Sequence, residues 1–239
     1  IHKFIAENDV KSAVIAGGGY IGLEMAENLT EKGISVTIVQ RPNQVMAPLD
    51  YDMACKLHGL LRKKGITLKF GSSVTGFEQK DGLILTTLKD DEPLKSDLVI
   101  LAIGVTPDTA LAKDAGLALG IKGSITVNER METSAPDVYA VGDAVQVKNF
   151  VTGEDALISL AGPANKQGRI AADNICGLKS SYDGSQGSSV IKIFDMTAAT
   201  TGINEKTAKQ LGIDYDKVVL FPLSHAGYYP GALAMSMKV

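Results

Sequence analysis

The sequence has no basic cluster, no long apolar run and only two cysteines, and each shortage removes a class of function. A net charge of −3 without clustered Lys or Arg argues against nucleic acid or an anionic membrane surface as partner. The longest apolar run, Leu98 to Ile103, is far too short to cross a bilayer and predicts a buried strand. No signal-peptide pattern precedes the first strand, and the two cysteines show no pairing pattern, so a reducing, cytoplasmic setting is expected. Internal repeats and low-complexity tracts are also missing. What is present, 239 residues of which 45% are hydrophobic, can bury a substantial core and suits one to two domains.

The segment Ser12 to Glu24 carries the strongest signal. A short apolar run reads as a buried strand and feeds into Gly17-x-Gly19-x-x-Gly22, which opens a helical pattern. In that setting the glycines form a dinucleotide-binding fingerprint. Gly17 allows the tight turn, Gly19 lets backbone amides approach a pyrophosphate, and Gly22 lets helix and strand pack closely. The helix N-terminus offers the phosphates unpaired N–H groups and partial positive charge.

Along the chain, Ile1 to Asn8 reads as a short helix, and Ile21, Met25 and Leu29 recur at helical spacing up to a capping Gly33. Ile34, Val36 and Ile38 alternate as a second strand ending at Val39-Gln40-Arg41. Asp50 is expected to cap a helix with inner face Met53, Leu57, Leu60 and Leu61, stopped by Gly65; Ile66, Leu68 and Phe70 form a third strand. This order implies a parallel sheet with right-handed crossovers. Residues 74–94 read as an antiparallel meander split at Asp81-Gly82 and Asp91-Glu92-Pro93. The strand Asp97 to Ile103 returns to the sheet, and Gly104-Val105-Thr106-Pro107 ends the unit. A second unit is expected from Pro107, with a strand Val138 to Val141, a helix Pro163 to Cys176 and a linker Ser180 to Ser189. Beyond it lie a strand Val190 to Phe194, a helix capped by Asn204 and closed by Gly212, and a strand Val218 to Phe221. The chain opens on Ile1 and stops inside an alternating strand pattern, Leu233 to Val239, which predicts a piece of a longer protein.

At the end of the second strand, where an acidic residue holds the adenosine ribose in NAD-selective sites, stands Gln40, followed by Arg41. Glutamine can bond a ribose hydroxyl without repelling a 2′-phosphate, and Arg41 could attract one, so these residues leave NADH against NADPH open.

Two further blocks, Thr133 to Ala144 with Val138-Tyr139-Ala140-Val141-Gly142-Asp143, and Leu160-Ala161-Gly162-Pro163-Ala164-Asn165-Lys166-Gln167-Gly168-Arg169, follow the fingerprint. With His225-Ala226-Gly227-Tyr228-Tyr229-Pro230-Gly231 downstream, the whole chain resembles the FAD-dependent pyridine nucleotide-disulfide oxidoreductases. Within them it is similar to the branch of coenzyme A-disulfide reductases, NADH-dependent persulfide reductases and NADH oxidases or peroxidases. The resemblance implies an α/β fold. Its parts are a Rossmann-like three-layer NAD(P)H-binding domain with a β-meander (residues 1–106), the C-terminal half of an FAD domain (107–185) and a truncated α+β dimerisation domain (186–239). It implies hydride transfer from NAD(P)H to FAD, then electrons to a disulfide, persulfide or CoA-disulfide in a cytoplasmic homodimer, and it leans toward NADH.

The same resemblance assigns roles. Gly17, Gly19, Tyr20, Ile21, Gly22, Glu24, Gln40, Arg41 and Gly104 would serve the nicotinamide coenzyme, with Tyr20 gating its pocket and Glu24 facing the junction with the flavin. Gly142, Asp143 and Ala161 would serve FAD, Asp143 bonding the ribityl chain and the helix near Ala161 pointing its N-terminus at the flavin. Tyr228, from a partner subunit, would lie near the reactive cysteine as a proton or hydrogen-bond donor; aromatic packing at a dimer surface is the alternative. The reactive cysteine of this family precedes the NAD domain. Cys55 and Cys176 have no adjacent base or redox-spaced partner and are expected to be structural. Two other readings remain open: an oxidase or peroxidase of the same family, and a non-enzymatic nucleotide-binding module.

Overall fold

The computed structural model describes residues 1–239, which divide into two compact units, Ile1–Gly104 with Ile191–Ala198 and Asn204–Val239, and Val105–Val190 with Ala199–Ile203. The first unit opens with α1 (His2–Glu7), β1 (Ser12–Ala16), α2 (Tyr20–Glu31), β2 (Ser35–Gln40), α3 (Tyr51–Lys63) and β3 (Thr67–Phe70). The meander β4 (Val74–Lys80), β5 (Leu83–Leu88) and β6 (Asp91–Ser96) follows, then β7 (Leu98–Leu101). Strand order β3-β2-β1-β7, all pairs parallel, sets β1 at the centre. Ala13, Val14, Ile15 and Ala16 are buried, the continuous apolar run of a strand covered on both faces. Leu23 is fully buried on α2, and burying each such side chain contributes roughly 1.5–3 kcal/mol.

Several expectations shift at this level. The buried stripe of α2 is Gly22, Leu23, Ala26 and Leu29, and Ile21 is exposed because it lies about 200° around the helix from Leu23. Asp50 occupies the N-cap of α3 but makes no side-chain cap bond; its carboxylate instead accepts from the Glu205 and Lys206 amides. Asp81 and Gly82 both have positive φ and turn β4 into β5, whereas the second turn is at Lys89-Asp90 and Asp91-Glu92-Pro93 lies inside β6. The Leu98–Ile103 run is only partly buried: β7 is an edge strand, and Leu101 and Ile103 are 58% and 77% exposed at its outgoing end.

The second unit holds α4 (Ala110–Asp114), β8 (Ile125–Thr126), β9 (Val145–Lys148), β10 (Asp155–Ala156) and α5 (Ala161–Ile175). Its small sheet has order β10-β9-β8, and Met131, Val145, Val147, Ala171 and Tyr182 form its core. Val138–Val141 is not a strand: the bridge Glu132↔Tyr139 is its single pairing, and Val138 and Val141 face solvent. The expected linker from Ser180 is tied down, because Tyr182 is buried, its amide donates to the Glu129 carbonyl, and Ser185 bridges to Asn149.

The remaining elements are β11 (Ser189–Ile193), β12 (Met196–Thr200), α6 (Glu205–Leu211), β13 (Val219–Leu220) and β14 (Met237–Lys238). Asn204 caps α6 by accepting the Thr207 amide at 2.8 Å, as its position predicts. Lys238 anchors β14 within the first unit through ion pairs to Asp50, Asp52 and Glu205 at 3.1, 3.0 and 2.6 Å. These bonds push the Lys238 pKa up against the opposing effect of burial. No helix is long and apolar enough to cross a membrane.

Candidate coenzyme-binding site

In the first unit the glycine turn sits where β1 meets α2, at the C-terminal edge of the parallel sheet. Gly17 has φ +112°, and a Cβ there would strike the carbonyl of Ala102. A Cβ at Gly22 would strike the Gly17 carbonyl, so both positions exclude a side chain for reasons of space. Gly19 has nothing within 4 Å of its Cβ position, which leaves the outer side of the turn open. Gly19 is also the N-cap of α2 and provides no side-chain cap. The first helical bond is Leu23 N–H to the Gly19 carbonyl, so the preceding amides end the helix without intrahelical acceptors. An open turn beside an uncapped helix start is suited to a phosphate.

Three hydrogen bonds hold the turn. The Gly17 amide donates to the Val39 carbonyl at 2.8 Å, the Met46 amide to the Gly18 carbonyl at 2.8 Å, and the Gly18 amide to Gln40 Oε1 at 3.0 Å. Val45, which packs against Gly18, is itself held by donation of its amide to His58 Nε2 at 3.3 Å. His58 is 2% exposed beside the Phe70 ring at 4.7 Å; burial, then the Arg62 charge, lowers its pKa. At the other end of β1, Asp97 Oδ2 accepts from the Ser12 hydroxyl at 2.7 Å and from the Lys11 and Ser12 amides, which lowers its pKa.

The structure therefore gathers Gly17, Gly19, Gly22 and Gln40 on one edge, with Gly104 following β7, whose end approaches Gly17. Tyr20 is half-buried against the core at the start of α2, whereas Ile21, Glu24 and Arg41 are exposed. The support given to Gly18 by Gln40, and to Val45 by His58, was not anticipated from sequence.

In the second unit Gly142 has φ +86°, and its amide donates to Gln167 Oε1 at 2.7 Å. Gln167 is 1% exposed on α5, so a buried side chain fastens the Gly142-Asp143 turn to that helix. Asp143 is exposed and lines a cleft of about 280 Å³ with Thr106, Asp108, Lys122 and Ser159. Helix α5 starts at Ala161, two residues before Pro163, and has no side-chain cap. Nothing in the sequence block had distinguished Gln167 from its neighbours.

Tyr228 is 85% exposed, with Tyr229 as its ring neighbour at 5.4 Å. Cys55 and Cys176 are both exposed free thiols.

Residues 2–168 match the family described as pyridine nucleotide-disulphide oxidoreductase. The reduced Bacillus anthracis CoADR-RHD structure is 48% identical, with a TM-score of 0.95, over 99% of this chain and 42% of that one. A NAD-dependent persulfide reductase from A. fulgidus is 35% identical, with a TM-score of 0.95, over 99% of this chain and 44% of that one. An NADH oxidase of Methanocaldococcus jannaschii is 37% identical over 100% of this chain and 53% of its own length. The chain spans about half the length of the curated relatives it matches.

Proposed function

Because the chain belongs to the pyridine nucleotide-disulphide oxidoreductases, we propose that it is the NAD(P)H-binding part of a flavoprotein oxidoreductase. The complete protein passes hydride from NAD(P)H to FAD and then electrons to a disulfide, persulfide or CoA-disulfide. The observation that carries this reading is the turn at Gly17–Gly22, closed to side chains on its inner side and open at Gly19 before an uncapped helix. Gly17, Gly19, Gly22 and the α2 start hold the coenzyme pyrophosphate, Gln40 and Arg41 meet the adenosine ribose, and Tyr20, Ile21, Glu24 and Gly104 border the nicotinamide end. When bound, the nicotinamide coenzyme supplies the hydride and the flavin accepts it.

Gly142, Asp143 and Ala161 form one side of a flavin site. An exposed carboxylate on a turn fixed by Gln167, together with the uncapped start of α5, suits a polar chain and a developing negative charge. Residues 1–106, 107–185 and 186–239 then correspond to the coenzyme domain, part of the flavin domain and part of the dimerisation domain. The exposed Phe221, Tyr228 and Leu233 support a homodimer, in which Tyr228 donates a proton or hydrogen bond near the partner's reactive thiol. A cytoplasmic location goes with this reading, since the sulfur chemistry needs reduced thiols.

The relative named NADH oxidase keeps oxygen alive as the acceptor. Protein expressed from the complete coding sequence and loaded with FAD separates the alternatives. Anaerobic NAD(P)H bleaches the flavin, and CoA-disulfide or a persulfide restores its colour faster than oxygen does. Faster return with oxygen makes it an oxidase; no bleaching contradicts the reading altogether.

A further inference from the structure

We infer that the coenzyme site selects the 2′-phosphorylated form, NADPH, and that Gln40 and Arg41 are the selecting residues; the inference rests on the coenzyme reading above. The key observation is the bond from the Gly18 amide to Gln40 Oε1 at 3.0 Å. A backbone N–H can only donate, so the oxygen of the Gln40 side chain must face Gly18 and the amide orientation is settled. The carboxamide keeps Nε2, with two N–H donors, for anything outside the turn. A carboxylate at this position would accept from both ribose hydroxyls. Gln40 instead turns its oxygen toward Gly18 and its Nε2 donors away from the turn.

The next residue reinforces that polarity. Arg41 is exposed, and no carboxylate pairs with it. Residues 40–49 contain this one cation and no acid. The first acid beyond them, Asp50, is engaged by the Glu205 and Lys206 amides and by Lys238. On the neighbouring strand, Lys69 is neutralised by Asp91 at 2.6 Å. The end of β2 therefore offers donors and one unpaired guanidinium, with no free carboxylate to repel an anion. A ribose hydroxyl both donates and accepts, whereas a phosphate dianion only accepts, and guanidinium binds it in a charge-assisted fork. A subsite with outward donors, an unpaired guanidinium and no carboxylate discriminates in favour of the phosphate.

Calorimetric titration of the flavin-loaded protein from its complete coding sequence tests this, with NADPH, NADH and adenosine 2′,5′-bisphosphate as probes. NADPH is expected to bind about tenfold tighter than NADH, the scale of one charge-assisted contact. Adenosine 2′,5′-bisphosphate is expected to compete with NADPH. Arg41→Ala lowers the NADPH-to-NADH affinity ratio about tenfold. Gln40→Glu keeps an acceptor for the Gly18 amide, adds a negative charge and reverses the preference. A wild-type ratio below about threefold, or an Arg41→Ala change that leaves the ratio where it was, overturns the inference. Failure of both coenzymes to bind contradicts the coenzyme reading itself, a separate outcome. Thermal unfolding of each variant reports that it has folded.

Discussion

The glycine turn at Gly17–Gly22 and the one at Gly142-Asp143 share a device and differ in their surroundings. In each, a glutamine oxygen accepts the amide of a loop glycine, Gln40 from Gly18 at 3.0 Å and Gln167 from Gly142 at 2.7 Å. Around the first turn the protein leaves no room, since Cβ atoms at Gly17 and Gly22 would meet backbone carbonyls. Around Gly142 nothing lies within 4 Å of the Cβ position. A crowded inner wall with one open side suits a ligand approached by backbone alone. The Gly142 turn is held from one side by a buried glutamine and has no such wall. The account therefore assigns a self-contained coenzyme site to the first unit and a partial flavin site to the second.

Substitution at the two turns gives the largest contrast. Gly22→Ala drives a methyl group into the Gly17 carbonyl and should cost roughly 3 kcal/mol, the upper end of overpacking, along with most coenzyme affinity. Gly142→Ala meets no atom and should cost only the left-handed backbone penalty, roughly 1–2 kcal/mol, leaving NAD(P)H affinity unchanged. Urea denaturation with calorimetry measures both; equal losses would erase the distinction between the turns.

The glutamines sharpen the comparison from the other side. Gln167→Ala removes a fully buried partner and orphans the Gly142 amide, for a loss of roughly 1–3 kcal/mol. Gln40 is only half-buried, so water can replace its oxygen and Gln40→Ala should cost roughly 1 kcal/mol or less. Thermal unfolding of the two variants would refute this ordering by showing Gln40→Ala to be the more damaging.

The smallest effect expected is a dependence on pH confined to the first turn. His58 accepts the Val45 amide only when neutral, and its folded pKa lies below the ordinary histidine value. A depressed folded pKa means its contribution is complete above about pH 6.5 and is lost as pH falls through the lower folded value. Protection of the Val45 amide, taken relative to its intrinsic exchange rate at each pH, should fall as pH drops below about 6.5, while that of the Gly142 amide holds. His58→Gln, which keeps an acceptor but cannot titrate, should flatten the response. Persistence of the acid sensitivity in that variant would assign it to another group.

What could be read from the sequence was whatever depends on neighbours in the chain. The spacing of Gly17, Gly19 and Gly22, the Asp81-Gly82 turn and the Asn204 cap are local, and the structure has each where its pattern predicts. Gln40 to Gly18 and Gln167 to Gly142 cross 22 and 25 residues, and no periodicity announces such a bond. His58 lies within an amphipathic helix with no signal of its own, yet it supports Val45 beside the glycine turn. Asp50 shows the limit of local rules most clearly, because a residue in the right place to cap α3 spends its carboxylate on the α6 amides instead. Val138–Val141 has the composition of a strand but finds only one bridge, Glu132↔Tyr139, so apolar character did not become a ladder.

The central claim is that this chain builds a whole site for the nicotinamide coenzyme and only part of one for flavin. An absorption spectrum of the purified chain after incubation with FAD and desalting, followed by calorimetric titration with NADH and NADPH, tests it most directly. The account predicts a colourless protein that still binds the coenzyme. A flavin band that survives desalting and bleaches with anaerobic NAD(P)H would contradict it.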